Sequence, residues 1–190
     1  MSIEYIDLCL SGGADGADTE WGLAAQAAGH QVIHWSFNGH KKINLPNVYI
    51  LTEEQLLQAD DALKVANNGV KRSFPGHNNH VNNLLRRNYW QIIESNSVYA
   101  VTRLVGDKSE LAIAGGTAWA CQLYVDKCRK SGEVIQLYVF DQTTSKWLIW
   151  SNEIWETITN PPIPKNIYAG IGSRELTAAG KKAIWDVFKS

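Results

Sequence analysis

Short apolar runs alternate along this chain with segments of helical spacing, which is the pattern of an α/β protein. The run at residues 5–10 predicts a buried strand, and the spacing of small and apolar residues around Trp21 predicts a helix at about 16–28. A second strand is expected at 31–35. A strand, a glycine turn, a helix and another strand make a βαβ unit, so we expect the two strands to be parallel.

The same alternation continues to the end of the chain. Further helices are predicted at 52–69, 78–94, 117–130 and 177–188, with strands at 97–102, 134–140, 146–150 and 166–169. Residues 37–50 are expected to be irregular, and the strand at 146–150 to lie at an edge of the sheet. In the helix at 78–94 the inward stripe begins at Val81 and ends at Ile92, and a helical wheel places Arg87 almost opposite it.

These elements predict one domain over residues 1–190, a Rossmann-like three-layer α/β fold with a mainly parallel central sheet. The composition agrees, because 190 residues with 45% apolar and 19% charged content are typical of a globular protein. The three cysteines form an odd set without metal-ligand spacing, so neither a disulfide framework nor a metal site is expected. The sequence has no signal-peptide pattern and no apolar run of membrane-spanning length, so we expect a cytoplasmic protein without a membrane partner.

The charge of the chain bears on its partners. The net charge is −1, and the basic residues occur in short pairs such as Lys71-Arg72 and Arg86-Arg87. A nucleic-acid-binding domain normally presents a basic stripe. Nucleic acid is therefore not the expected partner.

Three glycine-rich turns each follow a predicted strand and precede a predicted helix. They are Ser11-Gly12-Gly13-Ala14-Asp15-Gly16, Gly115-Gly116-Thr117 and Gly170-Ile171-Gly172-Ser173-Arg174. The start of a helix leaves backbone N–H groups unpaired and carries a partial positive charge, so it attracts phosphate, and glycine lets a ligand come close to the backbone. In a parallel sheet all three turns lie at the carboxyl ends of the strands, where ligands of open α/β sheets bind. The sequence therefore predicts a phosphate or nucleotide site at this edge.

Charged residues in and after these turns add to the predicted site. Asp15 is expected to cap the helix, whereas Asp18 either complements the helix dipole or accepts hydrogen bonds from ribose hydroxyls. Arg174 directly follows a glycine turn, where its guanidinium could bind phosphate oxygens with two hydrogen bonds. His77 and His80 are one helical turn apart, but no third ligand is evident, so a metal site is not predicted.

Several of these motifs together resemble the SLOG superfamily, which contains the DprA/Smf proteins, the LOG phosphoribohydrolases and small phage members. The motifs are residues 11–18, 35–38, 87–89, 115–117 and 168–174, and they extend over most of the chain. In that family the Gly-Ile-Gly-Ser-Arg strand opens the domain, and the Ser-Gly-Gly-Ala-Asp strand comes second. Here the order is reversed, so the resemblance implies a circular permutation that places the first βα unit at 166–190. It also requires the last helix, near Phe188, to end close to Ser2.

The resemblance implies that the protein binds a small nucleotide or nucleotide-derived signal, in order to sense or sequester it. The implied ligand-binding residues are Ser11, Gly12, Gly13, Asp15, Asp18, Arg87, Gly115, Gly116, Thr117, Gly170, Gly172, Ser173 and Arg174. No cofactor is expected apart from that bound nucleotide. A homodimer through the aromatic residues at 147–155 is left open, and so is DprA-like binding of single-stranded DNA.

A LOG-like hydrolase of nucleotide N-glycosidic or phosphate bonds is the remaining alternative. LOG enzymes cleave an N-glycosidic bond with an arginine and with the glutamate of a Gly-Gly-x-Gly-Thr-x-x-Glu motif. In this chain Arg87 matches the arginine, but Gln122 stands at the position of the acid, and glutamine is neither a general acid nor a general base. Asp18, Asp15 or Glu175 would have to replace it.

Overall fold

The computed structural model describes residues 6–41 and 44–189 and contains one mixed sheet with helices on both faces. The strands are β1 (Leu8–Ser11), β2 (Gln31–Phe37), β3 (Val48–Leu51), β4 (Ser97–Thr102), β5 (Leu137–Asp141), β6 (Lys146–Ser151), β7 (Ile154–Ile158) and β8 (Ile167–Gly172). The helices are α1 (Ala17–Ala27), α2 (Glu53–Leu57), α3 (Asp60–Val70), α4 (Asn79–Ile92), α5 (Thr117–Ser131) and α6 (Ala178–Val187).

The sheet has the strand order β3-β2-β1-β8-β4-β5-β6-β7. The first six strands in this order, from β3 at the edge to β5, are parallel to one another. The β5–β6 and β6–β7 pairs are antiparallel. The last strand of the chain, β8, therefore lies in the middle of the sheet, between β1 and β4. An α/β fold with a mostly parallel sheet is confirmed.

Alternating residues of the central strands separate two hydrophobic layers. In β4, Val98 and Ala100 belong to the core under α3, α4 and α5, whereas Tyr99 and Val101 belong to the core under α1 and α6. Successive side chains of a strand point to opposite faces of the sheet, so the helices cover both faces. The continuous apolar runs seen in the sequence are those of strands buried on both sides.

Three predictions about elements were wrong at the margins of the sheet. β3 overlaps the segment expected to be irregular, where Asn-Gly and Leu-Pro turn signals outweighed the short apolar run at residues 48–51. It is a four-residue edge strand, with Tyr49 and Ile50 each 48% exposed. β7 was not predicted, and it makes the strand at 146–150 an interior strand instead of an edge. The helix expected at 52–69 begins with the capping box of Thr52 and Gln55 but is divided into α2 and α3. The start of the first predicted strand, at residue 5, lies outside the described residues.

The orientation of α4 also differs from the prediction that one apolar stripe, from Val81 to Ile92, faces the core. Val81 is 47% exposed, whereas Arg87 is only 5% exposed. The reason is that α4 packs against α5 on one side and lies over the ends of β1, β2 and β8 on another, so that two of its faces are buried. A helical wheel with one inward face cannot represent this arrangement.

The three cysteines are free and buried, and burial raises the pKa of the Cys9 thiol to about 12. No helix in the described ranges is both long enough and apolar enough to cross a bilayer.

Gly170 in the middle of β8 provides a test of the packing that holds this strand in place. A Cβ atom at this position would lie 2.6 Å from the Cβ of Trp21, whose fully buried indole donates a hydrogen bond to the carbonyl of Ile171. We expect Gly170→Ala to lower the free energy of unfolding by about 1–3 kcal/mol, because the added methyl group overpacks the interface of α1 with β8. Urea denaturation measures this change.

Gly106→Ala is the matched control, since a Cβ there meets no atom within 4 Å. Its free energy of unfolding should stay within about 0.5 kcal/mol of the wild-type value. Equal effects of the two substitutions would contradict the packing argument.

Candidate functional site

The three glycine turns meet at one cavity of about 480 Å³. The turns follow β1, β4 and β8, which are neighbours in the sheet, so the parallel order brings their carboxyl ends together as predicted. Helix α4 closes the cavity on the side away from the sheet. The lining residues are Ala14, Asp15, Asp18, His40, Leu84, Leu85, Arg87, Asn88, Gln91, Arg103, Ala114, Gly115, Gly116, Thr117, Ala120, Ile171, Gly172, Ser173, Arg174 and Glu175.

Nine of the thirteen predicted ligand residues are among these, and the other four do not line the cavity. Ser11 is buried and donates a hydrogen bond of 2.7 Å to the carbonyl of Asp18. Gly12 gives space to the guanidinium of Arg87, which would overlap any Cβ at that position. Gly13 continues the same turn at φ 59°, and Gly170 lies under Trp21. These four residues shape the site without lining it.

The carboxylate of Asp18 joins three elements below the cavity. Its Oδ1 accepts a hydrogen bond of 3.1 Å from the amide of Gly172, at the end of β8. Its Oδ2 accepts one of 2.9 Å from Nη1 of Arg87 and one of 3.5 Å from Nε2 of Gln91, both on α4. Since both oxygens have protein partners, Asp18 fixes α1, α4 and β8 relative to one another.

Arg87 is the buried cation of this group, and the prediction that it points away from the core was wrong. Its Nη1 donates to Asp18 and, at 3.2 Å, to Oε1 of Gln91. Its Nε is buried and has no hydrogen-bond partner among the described residues. Arg87 also lines the cavity, so its guanidinium, although paired with Asp18, belongs to the wall of the site.

The backbone amides of the three turns are not equally available. The amide of Gly172 donates to Asp18, and that of Ser173 donates to the carbonyl of Val101. At the start of α5, by contrast, four consecutive amides donate to no described protein group. They are those of Gly115, Gly116, Thr117 and Ala118. The amides of Arg174 and Glu175, two residues that follow Ser173 and line the cavity, donate to no described protein group. The turn after β8 therefore keeps some free amides, but two of its donors are used by the protein.

The turn before α1 also has amides at residues 13–16 without a described acceptor, but unlike the start of α5 it carries an acidic residue, Asp15. Asp15 was expected to cap α1, and this was wrong. Gly16 is the N-cap, with φ 93° and no side-chain hydrogen bond. Asp15 is exposed and pairs with Lys41, and this hydrogen bond lowers the pKa of the Asp15 carboxyl. A permanent negative charge at this turn makes it less suitable for phosphate than the start of α5, whose first turn has no acidic residue.

Asn88 supports the turn before α5. Its Nδ2 donates a hydrogen bond of 3.3 Å to the carbonyl of Gly116, so this amide, which lies on the buried side of α4, has the partner that it requires. Arg72 donates to the neighbouring carbonyl of Gly115 at 3.1 Å. These two hydrogen bonds fix the carbonyls of the turn, whose residues Gly115, Gly116 and Thr117 line the cavity.

Two arginines supply charge at the rim. Arg174 is exposed, lines the cavity and forms no salt bridge with any described residue. Arg103, just after β4, lies with Nη1 at 3.6 Å from Oε2 of Glu175. Sequence reasoning missed Arg103, His40 and Leu84, because no glycine turn or motif surrounds them. Only their positions just after strands or on α4 could have suggested them.

Gln122 does not belong to this site. It is buried, and its Nε2 donates to Glu110 at 2.9 Å and to Asp126 at 3.0 Å, on a face of α5 that the cavity does not touch. Ala120, three residues after Thr117, does line the cavity. The comparison of Gln122 with an active-site glutamate is therefore not supported by its position, and the carboxylates at the cavity are those of Asp15, Asp18 and Glu175.

The buried Asp18–Arg87 pair predicts a large effect on stability. Asp18→Ala should lower the free energy of unfolding by about 3–5 kcal/mol, because it leaves the Arg87 charge buried without a partner. Urea denaturation measures the loss. Asp18→Ala combined with Arg87→Met should be less destabilised than Asp18→Ala alone, since no uncompensated charge remains.

Asp15→Ala is the control on the same turn, and its free energy of unfolding should stay close to the wild-type value because the Asp15–Lys41 pair is exposed. If Asp18→Ala proved as mild as Asp15→Ala, the carboxylate would not hold the three elements together.

Comparisons of the chain with protein-family models, with curated proteins and with solved structures give no match. The site is therefore interpreted from its own geometry.

Proposed function

We propose that the cavity binds a small nucleotide or nucleotide-derived molecule, with a phosphate group at the start of α5. The observation that supports this most directly is the row of four amides at residues 115–118 that donate to no described protein group, of which Gly115, Gly116 and Thr117 line the cavity. Backbone amides at a helix start bind phosphate through hydrogen bonds and through the helix dipole. Arg174 adds a positive charge at the rim.

The size and the charge of the site favour a small ligand. A volume of about 480 Å³ falls in the usual range for small-molecule sites. A protein that follows a nucleic-acid backbone needs a continuous basic groove, and three cations at or beside this cavity are paired with acidic residues instead. Binding of single-stranded DNA is therefore not favoured.

Binding is favoured over hydrolysis because the three carboxylates that line the cavity each have a cationic neighbour. Both oxygens of Asp18 are engaged, Asp15 pairs with Lys41, and Glu175 lies beside Arg103. A general acid or base needs a pKa near the working pH, whereas the pKa of Asp15 is lowered by its hydrogen bond with Lys41. A sensing or sequestering role fits this arrangement better than cleavage of a glycosidic bond.

We further propose that the domain is a circularly permuted SLOG-like fold, with the first βα unit of that fold at residues 166–190. The support is the central place of β8 and the position of the two chain ends. His30 Nε2 lies 3.7 Å from Oδ2 of Asp7, and the His30 ring is 5.4 Å from that of Phe188, so both ends meet around one histidine. Ser2, which the permutation should bring near Phe188, lies outside the described residues.

Ligand binding predicts a rise in melting temperature with at least one adenine nucleotide from a panel of AMP, ADP, ADP-ribose and cyclic nucleotides. At a ligand concentration of about 100 times Kd, the stabilisation should be about 2.7 kcal/mol. Differential scanning fluorimetry measures the shift.

Gly116→Asp should abolish this shift, since a carboxylate at the helix start repels phosphate and a Cβ there meets no protein atom within 4 Å. Gly116→Asn is the matched uncharged control and should retain more of the shift. No shift with any nucleotide on folded protein would contradict the proposal.

Two other results would favour the alternative functions. Release of free base from a nucleotide would favour a hydrolase, and a DNA gel shift that weakens with salt would favour binding of single-stranded DNA.

If the domain is circularly permuted, a chain that begins with the present C-terminal βα unit should also fold. A protein that begins at Lys165 and joins Lys189 to Ile6 through a short glycine-serine linker should unfold cooperatively, with the circular dichroism spectrum of the original chain. The reason is that the joined ends already lie at the same end of the sheet.

A permutant opened inside α5, between Leu123 and Tyr124, is the control and should not fold, because both residues are buried in the core. An insoluble or non-cooperative permutant from Lys165 would show that the ends cannot be joined as proposed.

A further inference from the structure

We propose that His40 and Leu84 form the subsite for an uncharged aromatic base, at the end of the cavity opposite the start of α5. We call these two residues, with Phe37 behind them, the apolar wall. This inference rests on the proposed function and deepens it, because it distinguishes a nucleotide from a bare sugar phosphate as the ligand.

Ring stacking, apolar packing and a backbone hydrogen bond hold the residues of the apolar wall in place. The His40 ring stacks on Phe37 with the ring centroids 5.2 Å apart and the planes at 20°. Phe37 is buried in a small cluster with Leu51 and Leu56, against which Leu84 packs. A backbone hydrogen bond of 3.0 Å from His40 N–H to the Phe37 carbonyl closes the turn that carries the ring. His40 and Leu84 both line the cavity, so a flat ligand group could extend this stack.

The polar edge of His40 is oriented as well. Its Nδ1 forms a hydrogen bond of 3.0 Å with Oγ of Ser36, which fixes the plane of the ring. Its Nε2 forms no hydrogen bond with a described protein group, although the residue is half-buried at the cavity. One nitrogen is therefore available to a ligand, as the edge of a base would require.

The charge state of His40 suits a base and not a phosphate. Burial, with further contributions from Arg87 and His80, lowers the pKa of His40 to about 4. The imidazole is therefore neutral at pH 7 and offers a single hydrogen bond without attracting an anion. Leu84 beside it offers no polar group. An uncharged ring therefore gains stacking and burial at the apolar wall.

The distance between the two ends of the cavity fits this division. His40 follows β2, and the start of α5 follows β4, with β1 and β8 between them in the sheet. Three spacings between neighbouring strands amount to roughly 14 Å. Asp15 and Arg174 lie between the two ends, where the sugar of an extended nucleotide would be placed. A phosphate ion or a sugar phosphate would leave the apolar wall unused.

Isothermal titration calorimetry with AMP and with ribose 5-phosphate tests the inference on the full chain. The wild-type protein should bind AMP roughly tenfold more tightly than ribose 5-phosphate, because only AMP can stack on the apolar wall. His40→Ala should remove most of this preference while the affinity for ribose 5-phosphate stays unchanged. His77→Ala is the matched control, since His77 is exposed and does not line the cavity, and it should keep the preference.

Equal affinity of the wild-type protein for AMP and ribose 5-phosphate would overturn the base subsite while leaving phosphate binding intact. This comparison needs no variant, so it decides the matter even if His40→Ala does not fold. Unchanged preference in folded His40→Ala would also overturn it. Absence of binding by both compounds would overturn the inference as well, and the proposed function itself would then be refuted only if no nucleotide of the panel shifted the melting temperature.

Discussion

The buried pairing of Asp18 with Arg87 is the interaction on which the geometry of the cavity depends. Each charge alone would be costly to bury, so the two are stable there only together and with further hydrogen bonds from Gly172 and Gln91. Because Asp18 lies on α1, Gly172 ends β8, and Arg87 and Gln91 lie on α4, the same group fixes the three elements that form the floor and one wall. Gly12 is required because a side chain there would occupy the space of the guanidinium.

This pairing also affects which backbone amides are available at the cavity. Asp18 accepts a hydrogen bond from the amide of Gly172, and the strand carbonyl of Val101 accepts one from that of Ser173, so two donors of the turn after β8 are used by the protein. At the start of α5 the amides of residues 115–118 donate to no described protein group, and Asn88 and Arg72 hold the carbonyls of Gly116 and Gly115. Two turns with nearly the same glycine pattern therefore differ in how many of their amides the protein itself uses.

Much of the fold could be predicted from the sequence, because apolar runs, glycine turns and helical spacing are local signals. The convergence of the three turns followed from parallel strand order, which places every strand-to-helix turn at one edge. Features that arise from contacts distant in sequence could not be predicted in this way. Arg87 looks exposed on a wheel that assumes one buried face, and its burial depends on Asp18, 69 positions earlier in the chain.

The residues missed in the site share the same cause. His40 lies in a segment without periodicity, and it reaches the cavity only because β2 lies beside β1. Arg103 and Leu84 likewise owe their places to the sheet order and to the position of α4 above it. The glycines of the three turns, by contrast, are marked by a local backbone requirement, which a sequence shows directly.

The balance of charges at the cavity narrows the class of ligand. Lys41, Arg87 and Arg103 each have an acidic partner, which leaves Arg174 as the rim cation without a salt bridge among the described residues. A ligand with several adjacent phosphates would have to compete with three carboxylates for these cations. A single phosphate can instead use the amides of α5, whose partial charge has no acidic counterpart in the first turn. The site is thus better matched to a ligand with one anionic end and an uncharged remainder than to a polyanion.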